Sequence, residues 1–217
     1  REGAPDLYPL NRRNSTDAWD AWICSQINVG HAVATHSQDP EKAAAAANGV
    51  LVGFDVIDTL LARATRMEAS REDGLTMLDG PALSAVVAIG QYLCGDKPTG
   101  SDIRLFTTLV RFDPVYQGHF KCNRSTLRAM PVLSAYLRDL FQTPGFGDTT
   151  DFEQIKQHYY VVHREVNPTG IVPAGPDMAW LLEPHGREEL GGSPFGAGTA
   201  PGPVPASEQV PAENTPL

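Results

Sequence analysis

The chain has 217 residues, 41% of them hydrophobic, and a formal charge of −9 from 26 acidic against 17 basic side chains. That length and apolar content suit one domain with a true core, with room for a tail. The acidic balance argues against nucleic acid and anionic membranes, because both reward a basic surface, and Asp, Gly or Arg interrupts the apolar stretches well before the ~20 residues of a membrane span.

The first residue is Arg1 rather than Met and no signal peptide follows, so a preceding segment is expected. Helical periodicity then dominates. Ser15 or Thr16 is placed to cap a helix whose stripe is Trp19, Trp22, Ile23 and Ile27. A long second helix is predicted over residues 41–67. It opens on an alanine run of maximal helix propensity, and Val50, Phe54, Ile57 and Leu61 follow at spacings of 4, 3 and 4. Residues 69–80 read as a polar loop, and Pro81 can start a short apolar helix reaching Tyr92.

Thr99-Gly100-Ser101-Asp102 reads as a capping box, with Thr99 at the N-cap and Asp102 reaching back from N3. The helix behind it, through Phe112, is apolar nearly all round apart from Arg104 and Arg111, so it is expected to be central and buried. The two arginines are assigned carboxylate partners such as Asp113 or Asp139. Pro131 opens a helix with Leu133, Tyr136, Leu137, Leu140 and Phe141 on one face, stopped by Pro144-Gly145. Thr150 and Glu153 suggest a second capping box, for a last helix ending near Tyr160 with Phe152, Ile155 and Tyr159 on one face. Asn167-Pro168-Thr169-Gly170 then turns the chain into an extended arm. Residues 191–217, rich in Gly, Pro and Ala, cannot bury enough to offset ordering and read as a disordered tail. The expectation is an all-α domain over residues 1–190, a bundle of six or seven helices around the capped one.

Cys24, Cys94 and Cys122 are far apart and odd in number, which fits a reducing, cytoplasmic setting better than a disulfide framework. Each is read as a buried, inert thiol. His119 with Cys122, or His158 with His163, lacks the further ligands of a zinc site, so no metal is assigned.

Three stretches narrow the reading: "TLVRFDPVYQGHFKCN" (residues 108–123), "YLRDLFQTPG" (136–145) and "IKQHYYVVHREVNPTGIVPAGPD" (155–177), with "EPHGR" after them and "DLYP" and "WICSQINVG" before. Together they resemble the glutathionyl-hydroquinone reductases, the Xi class of glutathione transferases, in their C-terminal helical domain. The resemblance implies a two-domain enzyme using glutathione as cosubstrate. Its nucleophilic cysteine sits in a Cys-Pro-Trp-Ala context on an N-terminal thioredoxin-like domain, and this chain has no Cys-Pro-Trp. It also implies that the helical domain closes a hydroquinone pocket and forms a homodimer.

On that resemblance Tyr159 is a substrate-binding residue, a phenol that donates to a hydroquinone oxygen. A second pocket tyrosine of the family aligns with Ala32, flanked by His31 and His36, so one donor is missing there. No catalytic residue is assigned within the chain, which alone is expected to be inactive. The competing reading is a non-catalytic helical binding or scaffold module derived from a glutathione transferase.

Overall fold

In the computed structural model, residues 5–30, 33, 37, 39–66 and 90–190 are described. Among these there is no β-strand, and five α-helices of 11 residues or more build the domain: α1 Arg13–Ile23, α2 Pro40–Arg66, α3 Gly100–Arg111, α4 Pro131–Gln142 and α5 Phe152–Val162. The predicted loop over residues 69–80 and the tail lie outside the described residues. So does most of the predicted helix from Pro81; its last residues are a tight turn instead, with Tyr92 and Gly95 bonded to each other through both backbone pairs.

α1 starts earlier than its polar residues suggest. Pro9 opens a 3-10 turn, Leu10–Arg12, that runs straight into the helix. Thr16 is therefore inside the helix. Its hydroxyl donates back to the Arg12 carbonyl at 2.9 Å rather than capping. Trp19, Ile23 and Ile27 are buried as the stripe requires, and Trp22 packs against them. The helix leaves through a wide π turn, Cys24–Asn28.

α2 is capped by Asp39, whose carboxylate accepts from the amides of Glu41 (3.0 Å) and Lys42 (3.3 Å). Val50, Phe54, Ile57 and Leu61 are all 0% exposed, each burial contributing roughly 1.5–3 kcal/mol. They face α4 and the Cys24–Asn28 turn. Gly53 permits this approach, because a Cβ there would lie 3.0 Å from Ile27. The apolar stretch is longer than expected: by length and composition α2 could cross a membrane. Here Asp55 and Asp58, in the middle of that stretch, accept from the Arg124 side chain and the Leu133 amide.

α3 is the central helix. Ser101, Asp102, Leu105, Phe106, Thr108, Leu109 and Val110 are buried, and it packs on α1 and α4. The capping box at Thr99 and Asp102 is formed. Asp102 does more than cap. One oxygen accepts from the Thr99 amide (2.7 Å) and hydroxyl (3.0 Å), and the other from the Leu93 amide (3.0 Å) and the Tyr136 hydroxyl of α4 (2.7 Å). Arg104 pairs with Asp20 of α1 at 3.2 Å, while Arg111 donates to its own helix at Thr107. The carboxylates expected for them are used elsewhere: Asp113 caps the turn Leu127–Ala129, and Asp139 binds Arg187.

α4 begins at Pro131 and buries its whole predicted stripe. α5 is capped by Asp151, not Thr150. The Asp151 side chain accepts from the Gln154 amide at 3.0 Å. Thr150 is drawn the other way by a bond to the Phe146 carbonyl (2.9 Å), and Glu153 is engaged by Gln157 (3.1 Å). The arm crosses α5 under two straps. The Asn167 amide donates to the Tyr160 and Ile171 carbonyls, and the Lys156 ammonium to those of Pro173 and Ala174. The chain then docks on α4 through Trp180 and Leu181, and Arg187 closes it.

Replacing Asp102 with Ala strands several buried donors, each costing ~1–3 kcal/mol. We expect Asp102→Ala to lower unfolding stability by ~3 kcal/mol or more, and Thr99→Ala by ~1 kcal/mol. Urea titration of both variants checks the order.

Candidate functional site

The site begins at a break in α3. Pro114 has no amide to continue the helix and its ring crowds the preceding turn. The chain widens into a π turn, Phe112–Tyr116, in which the Gln117 amide reaches back five residues to the Phe112 carbonyl at 3.0 Å. The extra residue rotates the next stretch of chain, so Tyr116, His119 and Phe120 face α5. Two backbone features close this loop. Gly118 sits where a Cβ would lie 3.0 Å from the Tyr160 hydroxyl. Lys121 adopts a left-handed φ of 61°, its ammonium donating to the Gly118 carbonyl.

Tyr159 stands opposite on α5, half-buried. Rings meet it edge-on: His158 and His163 at 5.3 Å between centroids, Phe120 at 5.7 Å and Tyr116 at 6.0 Å. Such edge contacts suit the ring quadrupole. The Tyr116 phenol is buried and hydrogen-bonded to Tyr159. Burial first, and then that neighbour, hold its pKa well above the ordinary phenol range. Of the two phenols, Tyr159 is the outer and Tyr116 the buried one.

Behind them, the His119 Nε2 lies 3.4 Å from the His163 Nδ1. His119 is only 3% exposed. Burial, then His163 and Lys121, lower its pKa to about 4. Among the described residues no group of three His, Cys, Asp or Glu side chains is placed to hold an ion.

The cysteines stand apart from this chemistry. Cys94 is buried beside Thr16, and burial raises its pKa; Cys122 is buried and pushed up to about 11. A thiolate is the reactive form, so both are held inert. Cys24 departs from expectation, lying exposed in the π turn after α1. His31, Ala32 and His36 lie outside the described residues. Spacing alone does not point to Tyr116 or to the His119–His163 contact as pocket features; the one signal for them is Pro114 inside an otherwise helical apolar run.

Residues 44–139 match the family described as "Glutathione S-transferase, C-terminal domain". The chain is 36% identical over 189 residues to the glutathionyl-hydroquinone reductase YqjG of Escherichia coli (strain K12), covering 85% of this chain and 48% of that protein. The chain has the fold of a glutathione S-transferase C-terminal helical domain. The glutathione-bound structure of YqjG matches the chain with a TM-score of 0.70 and 34% identity, over 85% of this chain and 52% of that one. A glutathione transferase from Gordonia bronchialis is 49% identical with a TM-score of 0.78, covering 99% of this chain and 59% of its own. A Xi-class transferase from Natrialba magadii is 35% identical with a TM-score of 0.72, over 88% and 51%. The chain spans about half the length of the curated relatives it matches.

The lowered pKa of His119 sets a pH dependence. Between its unfolded value near ~6.5 and about 4, the unfolded chain binds the proton and the folded chain does not. Stability carried by His119 is therefore full above that window and lost as pH falls through it. Asp102 and Asp113, whose pKa values burial raises, act with the opposite sign. We expect His119→Gln to lose less stability than the parent between pH ~6.5 and about 4, read from urea midpoints at each pH.

Proposed function

We propose that the chain is the substrate-pocket and dimerisation domain of a glutathione-dependent reductase that removes glutathione from glutathionyl-hydroquinones. The observation that carries this reading is Tyr159: a half-buried phenol in a cage of rings, hydrogen-bonded from behind by Tyr116, in a domain whose relatives include a glutathionyl-hydroquinone reductase. A flat aromatic diol fits such a cage, and the phenol donates to one of its oxygens.

In the proposed reaction a cysteine thiolate attacks the sulfur of the glutathionyl-hydroquinone. The carbon–sulfur bond breaks, its electron pair takes a proton at the ring carbon, and a mixed disulfide of enzyme and glutathione remains. A second glutathione thiolate resolves it by thiol–disulfide exchange. Buried Cys94 and Cys122 are unsuited to that first step. Cys24 is exposed in the π turn that follows α1. The nucleophile in this proposal belongs to a thioredoxin-like domain outside these 217 residues. The exposed Val161, Val162 and Ile171, where α5 ends and the arm begins, offer an apolar surface for the proposed homodimer. Three free cysteines suit a cytoplasmic location.

Two measurements test this. The chain alone, given glutathione and a glutathionyl-hydroquinone, is expected to release no hydroquinone; measurable turnover sinks the placement of the nucleophile. Titration with free hydroquinone followed by tyrosine fluorescence is expected to show binding that Tyr159→Phe weakens by roughly 2- to 10-fold, the worth of one hydrogen bond. Equal affinity in parent and variant would remove Tyr159 from the pocket.

A further inference from the structure

Packing and the proposed reaction leave one feature of the pocket unused, the contact between His119 and His163. These residues are 44 positions apart, yet their ring nitrogens meet at 3.4 Å. We infer that His163, braced by His119, is a positioning residue that sets the orientation of the Tyr159 ring. The inference rests on the proposed role of Tyr159 as donor to the hydroquinone.

His163 is the C-cap of α5, one helical turn beyond Tyr159, and its amide donates to the Tyr159 carbonyl at 3.3 Å. A helix end frays, and its last side chain ordinarily samples several rotamers. Here the imidazole is fixed from outside the helix. It lies edge-on to Tyr159 at 84° and nearly parallel to Phe120, with centroids 6.2 Å apart. His119 is fixed in turn by Tyr160 at 4.8 Å and Phe120 at 4.9 Å, and by the loop that Lys121 closes in its left-handed conformation. Non-glycine residues in that conformation persist where surrounding structure holds them, and they cluster at functional sites. The order of constraint runs from Lys121 to His119 to His163 to the ring of Tyr159.

The bond between the imidazoles needs one proton between the facing nitrogens. It forms whether the pair is neutral or carries a single charge, and a second proton breaks it. The titratable groups around the pair are His158, Tyr159 and Tyr160 on α5, Tyr116 on the π turn, Lys121 on the loop and Glu165 beyond the helix. Lys121 opposes the second proton on His119 and Glu165 favours it.

A double-mutant cycle on the full chain tests the inference. His163→Ala is expected to weaken free-hydroquinone binding by no more than Tyr159→Phe does, roughly 2- to 10-fold. In the Tyr159→Phe background the same change is expected to add almost nothing, because His163 acts through the phenol; additive losses overturn the inference. His163→Asn, which can still bond His119, is expected to restore part of the affinity. A ligand-free readout separates this from the proposed function. In His163→Ala the ring signals of Tyr159 are expected to shift and broaden in NMR spectra while those of Tyr92 and Tyr136 stay unchanged. Failure of the parent to bind hydroquinone refutes the pocket assignment alone, whereas unchanged Tyr159 signals refute the positioning role whatever binds.

Discussion

The domain turns on a carboxylate with no access to water. Asp102 is 0% exposed, and an isolated buried charge of that kind is costly. Burial raises its pKa, and four donors pull the other way: the Leu93 amide, the Tyr136 hydroxyl and both groups of Thr99. Every contact offers a hydrogen, which is the arrangement an ionised carboxylate requires. The donors come from the turn before α3, the start of α3 and the middle of α4. Satisfying one charge therefore fixes three segments, and any shift of α3 along α4 leaves that charge short of partners. α3 leads directly into the Pro114 π turn, so the placement of Tyr116 and His119 depends on its seating.

A second buried charge ties down the arm. Arg187 and Asp139 pair at 2.9 Å with side chains 4% and 5% exposed. The guanidinium also donates to the Gln91 carbonyl and lies over the rings of Tyr92 and Tyr136, 5.9 and 5.4 Å from their centroids. Tyr92 completes the group by donating to Asp139. Buried pairs of this sort are weak evidence for net stability, since desolvation offsets much of the attraction, but leaving either member unpaired is strongly unfavourable. What the pair supplies is position. It anchors the chain after the arm to α4, while Lys156 and Asn167 hold the arm to α5. The arm is tied at one end to α5 and at the other to α4.

Legibility in the sequence depends on which forces act locally. The buried faces of α2 and α4 can be read from spacing because a regular helix repeats its core positions every three or four residues, and Val50, Phe54, Ile57 and Leu61 obey that rule. The Thr99–Asp102 box is legible because both partners lie within one turn. Helix starts slip where two residues compete for the cap. Asp151 displaces Thr150, whose hydroxyl has a nearer acceptor in Phe146, and the 3-10 turn from Pro9 absorbs the start assigned to Thr16. The acid that pairs with Arg104 is not legible, because Asp20 sits on another helix and sequence spacing carries no information across that gap. The site is the least legible part. Tyr159 enters through family resemblance, whereas Tyr116, His119 and Phe120 are brought to it by a π turn that shifts the helical phase, so counting threes and fours past Pro114 points them elsewhere.

The inertness of the core thiols fits the chemistry proposed for the pocket. An enzyme that passes through a mixed disulfide with glutathione exposes every thiolate near its site to exchange, and the rate depends on the fraction of thiol ionised. Cys94 and Cys122 are both withdrawn from that competition, removed from solvent and kept protonated by burial. Cys122 is the more telling, because its thiol donates to the carbonyl of Phe120, whose ring meets Tyr159. Burial lets it serve there as a small apolar side chain. In the proposed reaction the residues around Tyr159 contribute phenols and imidazoles, and neither core thiol is the nucleophile.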